Sequence, residues 1–409
     1  MDTTASAPSP IDDEWVEHHF DYNADELAQD LHATLARARS KCPVTHSDAY
    51  GGYWVATDYE HVLQVAQDWQ TYSSELGITP AQPRATAASG QAGMKIYPVS
   101  VDPPLQRIFK RLINAYFTAS AVSVWEEPTR ALVTELIDGF IESGECDFMD
   151  VFARPFPGLA FFDLALHAPK EDLAEVNSWA TAASTPDAGD SMMKLAGWIG
   201  NLIADRRETG PRGDVVDAVI DAVIEGEPIG EMEMLGTITL LILGGLETTA
   251  GVLGMAMLRF CEHPEILDEL RAHPEKISDA VEELLRLDGS FVCIGRTARH
   301  ETELAGNHVE AGDPVLIYWA AANRDEAEFD HPDEFDLDRP GNRHLAFGAG
   351  PHRCAGSNLA RMNLRVALEE LVVRLHDVRL QDGADIRFHS QFNRAPLSVP
   401  ITFTPGAPR

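Results

Sequence analysis

Residues 234–258 form an apolar run with one charged side chain, Glu247, near its centre and a glycine pair, Gly244 and Gly245, just before it. Such a run is long enough to cross a bilayer, which takes about 20 apolar residues. A carboxylate in mid-run beside two glycines argues against lipid on every side. A helix buried on all sides at the centre of a large α-rich domain reads the same way, and a chain of 409 residues can wrap one. The expectation is therefore a mainly α fold with a minor β component, built around this helix, and no membrane span.

The rest of the chain fits that frame. Helical periodicity runs through residues 106–263, with breaks near Gly144, Pro186 and the Gly210-Pro211 pair, and again through residues 358–375. Residues 15–40 also read as helical, residues 52–57 as a strand and 61–67 as a helix. Short β-like runs come late, at 314–319 and 397–403. Residues 77–93, rich in Gly, Ala, Pro and Ser, read as a long loop. No repeat or long Gly/Ser linker divides the chain, so residues 21–409 are expected to be one domain behind a disordered tail of residues 1–20. Residues 1–10 have neither the basic segment nor the apolar core of a signal peptide.

Acidic residues outnumber basic ones by 65 to 32, for a formal charge of −33, a field that repels nucleic acid and anionic membranes. The five cysteines, Cys42, Cys146, Cys261, Cys293 and Cys354, are odd in number and lack framework spacing. A reducing, cytoplasmic setting follows.

Cys354 carries the most information of the five. It follows the turn Phe347-Gly348-Ala349-Gly350-Pro351-His352-Arg353 and leads, through Gly356, into a helix. A helix N-terminus stabilises an anionic sulfur, so thiolate ligation of a metal is the chemistry this placement favours. Gly348 and Gly350 permit φ > 0 or close passage under a flat ligand, and Gly356 removes a Cβ beside it. Phe347 offers an apolar wall. Two other readings stand at this point: a buried apolar thiol, and a zinc site of His344, His352 and Cys354, although the paired spacing of structural zinc is missing.

Within the central run, the Leu243-Gly244-Gly245-Leu246-Glu247-Thr248-Thr249 segment places an acid and two hydroxyls in mid-helix, costly unless satisfied or used. The glycines remove bulk one turn before Thr248, opening a groove that could hold dioxygen and water. Thr248 can bond the carbonyl of residue 244.

The pattern Phe-Gly-x-Gly-x-His-x-Cys-x-Gly resembles the haem-binding loop of the cytochrome P450 monooxygenases. Gly244-Gly245-Leu246-Glu247-Thr248 resembles that superfamily's oxygen-activating helix, in a form similar to soluble bacterial members of the camphor-hydroxylase type. Glu283 and Arg286, the later Asn323 to Pro340 motifs and the cysteine loop also occur in the family's order. The resemblance implies the P450 fold, with haem b (iron protoporphyrin IX) lying between the central helix and the cysteine-led helix. Cys354 would be the axial ligand, with Phe347, Gly348, Gly350, Gly356, Gly244 and Gly245 around the ring. His352, Arg296 and Lys110 would hold the propionates, with Arg107 and Arg111 as rivals of Lys110. The family motif at Asp102-Pro103-Pro104 usually has His and Arg where this chain has Gln106 and Lys110. Thr248 would hydrogen-bond the oxygen being activated and Glu247 would relay protons to it. Glu283, Arg286 and Arg339 would form a structural network.

The activity implied is insertion of one oxygen atom from O2 into an apolar terpenoid, steroid or aromatic compound, by hydroxylation or O-dealkylation. Met94, Ile96, Leu240, Leu243 and Val292 would line the substrate pocket, with residues 388–392 as another wall. Electrons would come from a ferredoxin and its NAD(P)H-dependent reductase, docking on a local basic patch of Arg111, Arg353, Arg361 and Arg365, near Lys110 and Arg343. A peroxide-driven haem-thiolate enzyme and a non-catalytic haem sensor are the alternatives.

Overall fold

Burying the apolar run requires partners along its whole length, and in the computed structural model, which describes residues 11–89, 94–183 and 189–409, it has them. The run is the middle of a single helix, Glu231–Glu262, its N-terminal turn acidic as the helix dipole favours. Although its hydropathy would suffice for a bilayer, Phe152, Phe156, Phe162, Leu195, Ile199, Leu284 and Leu368 belong with it to one continuous core. That core also takes in the cysteine-led helix, Ser357–Arg374, close to the expected 358–375.

Beside the helical body lies a five-stranded sheet in the order Val44–Ser47, Tyr53–Ala56, Pro314–Tyr318, Cys293–Ala298, Tyr72–Ser73. Only the Tyr53–Ala56 to Pro314–Tyr318 pairing is parallel. Apolar clusters pack on the sheet, one containing Val65, Ile317 and Trp319, another Phe20, Tyr53 and Leu316. A hairpin of Phe388–Ser390 and Arg394–Pro396 lies against the central helix.

Three expectations change. The chain joins the fold well before residue 21: Asp13–His18 is a helix capped by Asp12, which accepts from the Trp15 N–H at 2.9 Å. Val16 and Phe20 are fully buried, and the Phe20 carbonyl accepts from Tyr53 Oη at 2.6 Å. Residues 1–10 lie outside the described residues. The stretch read as a loop contains a helix, Gln82–Ser89, while residues 90–93, like the break at Pro186, fall outside the description. The late strand is Pro400–Thr404, three residues later than its apolar pattern begins.

Opposite charges at Glu283 and Arg286 form a buried node. Glu283 accepts from Arg286 at 2.8 and 2.7 Å, from Arg339 at 2.9 Å, from Asn342 at 3.1 Å and from the Asp336 N–H at 3.0 Å. Arg286 also reaches the carbonyls of Asn323, Pro332 and Glu334. Both side chains are inaccessible, so removing one partner strands a charge in the interior. Glu283→Ala is expected to destabilise the protein by about 3–5 kcal/mol, measured as a lowered urea midpoint against the parent.

Candidate functional site

The middle of the central helix is largely buried, and most of its accessible positions share one face. Leu240, Leu243, Gly244, Glu247 and Thr248 are accessible while Leu241, Ile242, Leu246, Thr249 and Ala250 are buried. The spacing of three and four residues is that of a single helical stripe. Gly244 is the most open position, and a Cβ built there would meet nothing within 4 Å. Gly245 differs: a Cβ there would stand 2.8 Å from the Phe161 ring. Of the two glycines expected to face the cofactor, Gly244 opens the groove and Gly245 lets the helix seat against Phe161.

The hydroxyls divide in the same way. Thr249 is buried, whereas Thr248 faces the stripe and donates to the Gly244 carbonyl at 3.0 Å. The Thr248 carbonyl in turn accepts from Ser290 Oγ at 2.6 Å. Met94 and Ile96 are half-buried. Val292, expected in the pocket, is 1% exposed and packs with Tyr53 and Leu316 in the sheet-side core.

Cys354 is returned toward Phe347 by a loop of successive turns. Its N–H donates to the Phe347 carbonyl at 2.8 Å, and Gly348 donates to Leu345 at 2.8 Å. Gly348 and Gly350 have φ of +67° and +65°, and a Cβ at Gly350 would collide with the Ala66 carbonyl. The thiol is accessible although protein surrounds it, as on a cavity wall. Burial pushes the thiol pKa up, while the Gly356 N–H and the cations of Lys110, Arg353 and Arg361 pull it down without cancelling the rise. A metal's charge at the sulfur would reverse that balance.

Beyond the loop, basic side chains from three segments converge, of which His352 is neutral. The Arg296 guanidinium is buried, makes one hydrogen bond, to the carbonyl of its neighbour Gly295, and is held down at about 10 by burial. His352 is held down at about 3, by burial first and then by repulsion from Arg296 and Lys110. The nearby acid, Asp102, accepts from Ser73 Oγ, from the Ser74 N–H at 2.9 Å and from Arg299 at 2.5 Å. Ser74 Oγ lies 3.2 Å from His352 Nε2. A buried arginine without a hydrogen-bonded carboxylate among the described residues, beside a histidine and a lysine, is an arrangement that an anion would relieve. Cationic cradle, inward-facing thiol and open glycine stripe together fit an iron porphyrin with its propionates.

Lys110 reaches this region by way of the cysteine loop. Its ammonium donates to the carbonyls of Pro351 and Arg353, both at 2.6 Å, and Gln106 Nε2 donates to Pro351 at 2.6 Å. Two of the three lysine donors thus grip the cysteine loop. Arg107 and Arg111 are exposed on the same helix, Leu105–Asn114. Of the expected basic patch, Arg361 is paired with Glu282 at 2.6 and 2.7 Å, and Arg365 with Glu126 at 2.6 Å and Glu369 at 2.8 Å. The zinc alternative fails on the same grounds, because His344 Nε2 faces Glu282 at 3.1 Å and His352 faces Ser74. Ser74, Ser290 and Asn393 went unrecognised in the sequence, and Asp102 was read only as the start of a motif. The acid opening the Asp-Pro-Pro turn was the one available signal.

The family model described as Cytochrome P450 matches residues 277–393. The chain is 32% identical to the Steroid C26-monooxygenase of Mycolicibacterium smegmatis over 87% of this chain and 89% of that one. It is 28% identical to the Linalool 8-monooxygenase of Pseudomonas putida over 94% and 98%. Among solved structures, Cytochrome P450 CYP109Q5 from Chondromyces apiculatus superimposes with a TM-score of 0.83 at 28% identity, covering 96% of this chain and all of that one.

The two classes of glycine should separate experimentally. Gly350→Ala is expected to cost about 1–3 kcal/mol in backbone strain and to lower the Soret absorbance retained per protein. Gly244→Ala should keep or raise the melting temperature, since Ala in a helix interior gains about 0.5–1 kcal/mol over Gly, yet weaken substrate-induced Soret shifts by narrowing the groove. Acid stability should report Glu282. Burial pushes its carboxyl up, but hydrogen bonds from Arg361 and His344 win and hold it at about 2, against an ordinary 4.5. Its contribution is present above 4.5 and lost as pH falls toward 2. Urea midpoints followed into acid should fall less steeply in Glu282→Gln.

Proposed function

The chain belongs to the cytochrome P450 family of haem-thiolate monooxygenases, and on that premise we propose that it oxygenates an apolar small molecule. The classes we infer are terpenoid, steroid or aromatic compounds, by hydroxylation or O-dealkylation. The observation that carries this reading is the stripe itself: Leu240 and Leu243 supply apolar wall, and Thr248 and Glu247 follow one turn later on the same face. Relatives named for a steroid and for linalool support it.

Haem b, ligated through Cys354, would supply the reductive activation of O2. The protein's share is positioning and protons. Arg296 and His352 would hold the propionates, fixing the ring against the stripe. The Thr248 hydroxyl, with its proton directed to Gly244, turns its lone pairs to the cavity and would hold a water there. Glu247, half-buried on the next position of the stripe, would resupply that water with protons from solvent. An intact acid–hydroxyl pair suits reductive O2 activation better than peroxide-driven chemistry or a sensor.

We further propose electron delivery by a separate ferredoxin and its NAD(P)H-dependent reductase. Arg111 and Arg353 are exposed and have no carboxylate partner among the described residues, so with Arg107 they form the docking patch. Arg361 and Arg365 would contribute less, being internally paired. All five cysteines are free, which supports a cytoplasmic location.

Ferrous protein under carbon monoxide should show the red-shifted Soret band of a thiolate haem, and titration with terpenoids, steroids and aromatics should shift the ferric Soret band; lack of the carbon monoxide band would overturn the reading. Thr248→Ala should keep both spectra while product per reductant falls by about tenfold or more. Full coupling in that variant would remove Thr248 from its role.

A further inference from the structure

Glu247 would be of little use to a proton relay if its carboxylate were free to swing, and one side chain restrains it. Asn393 Nδ2 donates to Glu247 Oε2 at 3.4 Å. The reverse amide orientation would set the amide oxygen against the carboxylate, so the donor assignment follows from the contact itself.

Asn393 lies at the turn of the Phe388–Ser390/Arg394–Pro396 hairpin, and its position is fixed from two directions. The second strand lies directly on the central helix where that helix has glycines. A Cβ at Gly251, one turn after Glu247, would stand 3.3 Å from Ala395 Cβ, and one at Gly254 would stand 2.8 Å from Pro396 Cγ. From the other side, the segment Ser290, Phe291, Val292 staples hairpin to helix. Ser290 Oγ donates to the Thr248 carbonyl at 2.6 Å, and the Ser290 carbonyl accepts from the Arg394 N–H at 2.7 Å. Phe291 bridges to Asn393, and the Val292 N–H donates to Phe392 at 2.7 Å. Asn393 Oδ1 is buried and has no hydrogen-bond partner among the described residues. A buried amide oxygen with no protein donor is a costly acceptor to leave idle, and a relay water shared with Glu247 would satisfy it.

We propose that Asn393 is a positioning residue for proton delivery, holding the Glu247 carboxylate toward the cavity and accepting from the water that feeds it. The proposal rests on the monooxygenase reading. It gives the hairpin a part in the chemistry: the turn that follows Phe388–Ser390 sets the acid that serves the reaction.

The ferric holoenzyme provides a test that does not need turnover. The Glu247 carboxyl band is assigned by infrared difference against Glu247→Gln. Asn393→Ala should shift that band, and Asn393→Gln should leave it nearer its parent position. In turnover, Asn393→Ala should lower product per reductant about tenfold and change the solvent deuterium isotope effect, with the carbon monoxide band and substrate-induced Soret titration unaltered. In a Glu247→Gln background the same change should add nothing, as expected of residues acting through one group. A band unmoved by Asn393→Ala, or losses that multiply in the double variant, would overturn the proposal. Should the parent enzyme show no substrate-dependent O2 consumption, the monooxygenase reading falls, and the infrared comparison still decides the Asn393 contact.

Discussion

Taking a helix as apolar as Glu231–Glu262 out of water demands contact around its circumference, and the fold supplies it from helices, hairpin and sheet-side segments. What the protein does depends on where that contact is withheld. One stripe, from Leu240 to Thr248, is only partly covered by the described residues, and its polar members sit together at one end. The glycines divide the labour of arranging this. Gly251 and Gly254 admit the hairpin and Gly245 admits Phe161, while a Cβ at Gly244 would meet none of the described residues within 4 Å.

Electrostatics is organised against the grain of the whole chain. A protein of net charge −33 concentrates Arg296, His352 and Lys110 in one interior region, and assigns the nearest acid, Asp102, to serines and Arg299. Burying Arg296 without a hydrogen-bonded carboxylate destabilises the folded chain by itself. An anion bound among these side chains would offset that cost, and its binding would then contribute to folding stability. The Glu283 node is the opposite case, a set of charges fully satisfied by protein, with carbonyls of three separate residues closing around Arg286.

Local chemistry was legible in the sequence because local spacing encodes it. Cys354 after two glycines, Thr248 beside Glu247 and the paired Glu283 and Arg286 each lie within a few residues of what gives them meaning. Partners distant along the chain were not legible. Lys110 could be placed near the cysteine loop, but whether it would face an anion or the Pro351 and Arg353 carbonyls depends on how closely one helix approaches one turn. Arg361 and Arg365 looked like a free basic face because Glu282 and Glu126 are far away in sequence. Asn393 carries no motif at all; only the folded hairpin brings it to Glu247. The first helix falls partly within the stretch read as helical, residues 15–40, but its start was missed although Asp12 gave its cap.

The grip of Gln106 and Lys110 on the cysteine loop is made entirely to main-chain carbonyls. Main-chain carbonyls are indifferent to the side chains they carry. The exposed Arg353 side chain is therefore free to change without releasing its own backbone, as are Arg107 and Arg111 on the outer face of the gripping helix. The outer surface of this region can change, by evolution or by design, while the segment leading into Cys354 keeps its place.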